Sequence, residues 1–125
     1  MNALAKLGTA LAALAKEWSD TGLSTVTDPA EISPPCVWLT VDRLDIAGLD
    51  QSAADADMKA ICVSHNIGGT QVVLDELGAL ADAVCARVDL TGPINTITLT
   101  LPSITPDPIF ALEIPFTLTI TESSD

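Results

Sequence analysis

His65 is the one histidine of the chain, so any proton-shuttling dyad must use it. Cys62 and Ser64 lie beside it in MKAICVSHNI, which makes a Ser-His or Cys-His pair the first chemistry to consider. The spacing argues against it. Neighbouring residues of an extended segment point to opposite faces, and Cys62 and His65 also differ in parity. No G-x-S-x-G elbow is present to lift a serine onto a sharp turn. His65 therefore reads as a polar residue at a strand end, and no catalytic residue is assigned.

The other candidate chemistry is metal binding. Asp42, Asp45, Asp50, Asp55 and Asp57 crowd one region, but a calcium loop needs acids at fixed alternate positions, a central Gly and a closing Glu. These acids are irregularly spaced and the Glu is missing. Zinc needs clustered Cys and His, whereas Cys36, Cys62 and Cys85 are scattered around a lone His. Gly68 and Gly69 precede a helix-like run without the Gly-Lys-Ser/Thr of a phosphate loop. The expectation is no metal and no cofactor. The odd cysteine count, without a C-x-x-C, points to reduced thiols rather than a disulfide framework.

The whole chain sets the context for these residues. Its 125 residues fit one domain spanning 1–125. Hydrophobic residues make up 48% and charged residues 18%, an apolar balance that points to surface covered by partners. No charge-free apolar run reaches the roughly 18 residues of a membrane helix. ALAKLGTALAALA lacks the basic leader of a signal peptide, so it reads as an amphipathic helix. The net charge of −12 excludes electrostatic binding of nucleic acid, since phosphate contacts need Lys and Arg.

The elements follow from periodicity. Leu4, Leu7, Leu11, Leu14 and Trp18 form one stripe of a helix over 2–18, with Gly22 as its stop. Residues 23–35, broken by Pro29, Pro34 and Pro35, form an extended arm. A strand over 36–42 turns Val37, Leu39 and Val41 inward and Cys36, Trp38, Thr40 and Asp42 outward. Residues 43–57 read as a long acidic loop. A second strand over 58–67 points Ile61 and Val63 inward. Val73, Leu77, Leu80, Val84 and Val88 mark a helix over 70–88, with Thr70 as N-cap and Gly78 read as a close approach to the sheet. A hairpin over 95–121 follows, with Ile97, Leu99 and Leu101 on one face of its first strand. In its second strand, Phe110, Leu112, Ile114, Phe116, Leu118 and Ile120 share a face, and Pro115 signals an edge or a bulge. The fold class is α+β: a four-stranded, mostly antiparallel sheet with two helices on one face, in the order α-β-β-α-β-β.

Trp38 is the residue left over, since it lies opposite the inward valines. It either tucks beneath the Pro-rich arm of its own chain or anchors a contact with a second subunit. The candidate contact residues are Trp38, Thr40, Leu44, Ile46 and Leu49.

DPAEISPPCVWLTVDRLD, VVLDELGALADAV and FALEIPFTLTI, in that order, resemble the tail terminator proteins of long, non-contractile-tailed phages. Small tail-terminator and head-to-tail connector proteins of actinobacterial phages are similar around the Pro-Pro-Cys-Val segment. The likeness lies in order and composition and spans most of the chain. It implies a virion protein, not an enzyme. Such a protein assembles in the host cytoplasm into a homo-oligomeric ring, typically a hexamer, at the tail-head junction. The ring caps the tail tube protein, stops its polymerisation and joins head-side neck proteins. DNA passes through its channel without specific binding, and no membrane is involved. Asp45, Asp50, Asp55 and Asp57 would then face the lumen and repel DNA. Two other readings stand beside this one: a head-side neck connector, and a small cytosolic α+β domain that binds a ligand or acts as an enzyme.

Overall fold

The computed structural model describes residues 7–47, 53–64, 70–101 and 105–121. Helix α1 (Leu7–Asp20) is followed by a two-residue strand β1 (Thr25–Val26) and a short 3-10 turn at Pro29–Glu31. Strands β2 (Cys36–Ala47) and β3 (Ala53–Val63) then form a hairpin. Helix α2 (Thr70–Cys85) leads to a second hairpin, β4 (Asn95–Leu101) and β5 (Thr105–Thr121). The sheet order is β1-β2-β3-β5-β4. The α+β class and the two helices on one face agree with the sequence reading.

The sheet has five strands rather than four, and it is mixed, because Thr25 and Val26 pair in parallel with Val37 and Trp38. The end of α1 explains this added strand. Gly22 takes a left-handed φ of +96°. The Leu23 amide donates to the Trp18 carbonyl at 2.9 Å and the Gly22 amide to the Ser19 carbonyl at 3.2 Å. This is a Schellman stop, with Leu23 and Trp18 buried together beneath it. The chain leaves in one direction, and the Ser19 hydroxyl accepts from the Thr25 amide at 3.1 Å. That brings residues 25–26 to the β2 edge.

The acidic loop expected over 43–57 is a correction: 43–47 and 53–57 belong to β2 and β3. Many Asp residues argue for a loop, but here they alternate with Leu44, Ile46, Ala54 and Ala56, and period two decides. One extra residue, Asp42, is bulged between the pairs Val41–Met58 and Arg43–Asp57. The bulge exchanges the faces along the rest of β2.

The register also corrects β3. Val37 lies opposite Cys62, Leu39 opposite Ala60 and Val41 opposite Met58. So Met58, Ala60 and Cys62 face the helices. Ile61 and Val63 are buried on the reverse face instead. There, together with Ala111, Cys36 and the arm residue Ile32, they make a second small core, against which Val26, Trp38, Ile97 and Leu99 pack. The apolar side of β4 thus belongs to the reverse face.

The main core joins both helices to the sheet. Ala15 and Trp18 of α1 and Val73, Leu77, Ala81 and Val84 of α2 pack on Val37, Leu39, Met58, Ile114 and Phe116. Each fully buried aliphatic side chain here contributes about 1.5–3 kcal/mol. Trp18 and Phe116 stack at a 37° tilt with ring centroids 5.9 Å apart. The α1 stripe runs as expected from Leu7; Leu4 lies outside the described residues. Helix α2 closes at Cys85, with helical hydrogen bonds continuing to Val88. Gly78 is not a close approach, because a methyl group added there meets nothing within 4 Å.

Pro115 sits where β4 has already ended, since the last β4–β5 pair is Asn95–Glu113. Its carbonyl accepts from the Thr91 amide at 3.1 Å, on the side away from β3. In an antiparallel strand the nitrogen of a residue points the same way as its carbonyl, so the missing N–H costs no bond to β3. The proline is locally at an edge, as its presence in the strand signals.

Candidate interaction surface

Cys36 and Cys62 are buried and Cys85 is exposed. Burial pushes the Cys36 thiol up, and burial pushes the Cys62 thiol up to about 12, so neither supplies a thiolate near neutral pH. Ser64 is buried at the end of β3, and His65 lies outside the described residues. Among the described residues, no group of three or more His, Cys, Asp or Glu could hold a metal ion, and no helix is long and apolar enough to cross a membrane.

The structure divides the contact residues. Trp38 is half-buried and packs against the second core, which includes the arm residue Ile32. Thr40 is half-buried opposite Lys59 on that same face. Leu44 packs against the main core on the helix face, because the Asp42 bulge turned it there. Ile46 lies opposite Ala54 in β2, and Leu49 lies outside the described residues. Trp38 and Leu44 therefore do not form one surface.

The acids hold strand positions near the tip of the β2–β3 hairpin. Asp45 pairs in register with Asp55, and Arg43 with Asp57. The Thr119 hydroxyl donates to Asp55 Oδ1 at 3.0 Å and the Thr117 hydroxyl to Asp57 Oδ1 at 3.3 Å. Cross-strand threonines thus orient two carboxylates on the reverse face of the sheet. Asp50 lies outside the described residues. Further along that face, Lys59 Nζ reaches Glu113 Oε1 at 3.0 Å and Asp42 Oδ1 at 3.5 Å. The hydrogen bond and charge of Glu113, with the Asp42 charge, hold the Lys59 ammonium above its ordinary range.

The sequence reading missed two sheet edges that no further described strand covers. β1 covers only Val37 and Trp38, so β2 presents its outer backbone from about Leu39 onward. On the other side, β4 is the last strand. Among the described residues, the exposed large apolar ones are Val72 and Leu74 on α2, Leu90 and Ile94 just before β4, and Phe110 opposite Thr98. The signal for Leu90 and Ile94 was present in the sequence, as a charge-free run over 90–106.

No family model matches the chain, and no curated protein or solved structure matches it either.

Proposed function

We propose that this chain is a structural subunit of a phage virion. In this reading it is a tail terminator whose ring caps the head-proximal end of the tail tube, stops tube polymerisation and joins the tail to the head. The family resemblance motivates the reading. The observation that supports an assembling subunit is exposed apolar surface that a partner would cover, with Val72 and Leu74 of α2 each 54% exposed. Closed rings need a heterologous contact, in which two different surfaces of one subunit meet neighbours on either side. Asp55 and Asp57, with Asp45 in register, give a hairpin whose negative field suits a channel that DNA must slide through without adhering.

Imaging particles that lack this protein tests the proposal. Tails polymerised beyond their normal length are expected. Tails of normal length lying detached from heads would make it a head-side neck connector instead. A stable monomer that binds a small ligand would return it to the binding or enzymatic domains.

A further inference from the structure

The two edges of the sheet are not alike. β2 is guarded by the bulged Asp42 and by the charge of Arg43, both of which discourage pairing with another chain. β4, NTITLTL, has none of these devices: no charge, no proline and no bulge of its own. The register irregularity in its hairpin places β5 residues 106–108 opposite the single β4 residue Thr100, so the extra residues belong to β5 and β4 runs on as plain strand. The run 90–106 is also the longest stretch of the chain without Asp, Glu, Lys or Arg. Exposed Leu90 and Ile94 lie within it.

We propose that β4 is a docking edge for a second copy of this chain, the two β4 strands pairing antiparallel about Thr98. Three observations select that occupant. Copies with a net charge of −12 repel, and this edge lets them meet without placing a charge against a charge. The strand is self-complementary over residues 96–100 about Thr98: in that register Ile97 meets Leu99, Thr96 meets Thr100 and Thr98 meets itself. A bare strand edge also exposes backbone donors and acceptors that another strand satisfies. The two-fold keeps the apolar side of β4, carrying Ile97 and Leu99, on the same face in both copies. Their reverse faces then join across ten strands, five from each sheet. This contact is isologous and so differs from the heterologous contact of a ring. It stands whether or not the chain is a tail terminator.

The test is sedimentation equilibrium of the full chain. Native protein is expected to form dimers. Thr98 is exposed, so Thr98→Glu leaves the fold intact and sets two carboxylates face to face; it should abolish the dimer. Thr98→Lys should do the same, and mixing the two variants should restore a one-to-one dimer. Near-ultraviolet circular dichroism of the variants checks that the core around Trp18 is unchanged. As a second readout, amide exchange in β4 of the native chain should slow as protein concentration rises. A native chain that stays monomeric would overturn the proposal. So would dimers that survive Thr98→Glu, or β4 amides whose exchange ignores concentration.

Discussion

At the scale of single residues, two glycines with the same side chain have opposite roles. Gly22 takes a φ of +96° to close α1, a conformation in which any Cβ is strained. Gly22→Ala should cost about 1 kcal/mol or more in urea unfolding. Gly78 lies within α2 with open space where a Cβ would stand. Gly78→Ala should therefore stabilise the fold by about 0.5–1 kcal/mol, raising Tm by about 3 °C in calorimetry. The thiols separate in the same way. A colourless disulfide reagent that releases a coloured thiol should label only Cys85 in the native chain near pH 8, and all three cysteines in denaturant. Cys62 also sets a pH dependence. Burial pushes its folded pKa up to about 12, above the ordinary thiol value of 9.0, so the unfolded chain loses that proton first. Stability from this thiol is complete below pH 9.0 and falls as pH rises towards 12. Cys62→Ala should flatten the alkaline fall measured by urea unfolding at several pH values.

At the scale of elements, the arm and the helix ends fix how the layers sit. Trp38 packs against the second core, which includes the arm residue Ile32, so Trp38→Ala should loosen that core and cost about 2 kcal/mol of folding stability. Loss of assembly without loss of stability would return it to a subunit contact. The Arg87 guanidinium donates to the Ala83 carbonyl at 2.7 Å, and at 3.1 and 2.9 Å to the Thr21 carbonyl and hydroxyl. It therefore ties the end of α2 to the end of α1, and supplies positive charge where both helix dipoles are negative. Arg87→Met should cost about 1 kcal/mol in the same assay. Both helices were legible from their stripes, since a 3.6-residue period has one solution. The arm was legible only as an interruption, because prolines announce an extended chain without saying what it covers.

At the scale of the whole molecule, charge opposes the proposed pairing of two copies. Each copy carries −12, so screening should strengthen self-association, and the dimer should tighten as salt rises from about 20 mM to about 500 mM. An association that weakens with salt would point to a charged interface elsewhere. Neutralising Asp45, Asp50, Asp55 and Asp57 to Asn should lower phage yield if the hairpin lines a DNA channel. Normal yield from that variant would remove the acids from the mechanism.

The sequence by itself determined what depends on neighbours along the chain: the two helices, the hairpin at 95–121 and the α+β class. It also placed Asp55 and Asp57 side by side with Ala56, which is a strand pattern even though aspartate composition argued for a loop. What only the tertiary structure decided is which face each strand residue joins. Alternation yields two faces but does not name them, and one bulged residue exchanges them. Asp42 therefore sent Leu44 to the helix side, while pairing with Trp38 and Cys36 sent Ile61 and Val63 to the arm side. The unequal guarding of β2 and β4 is likewise a tertiary fact, because an edge exists only once the sheet has chosen its order.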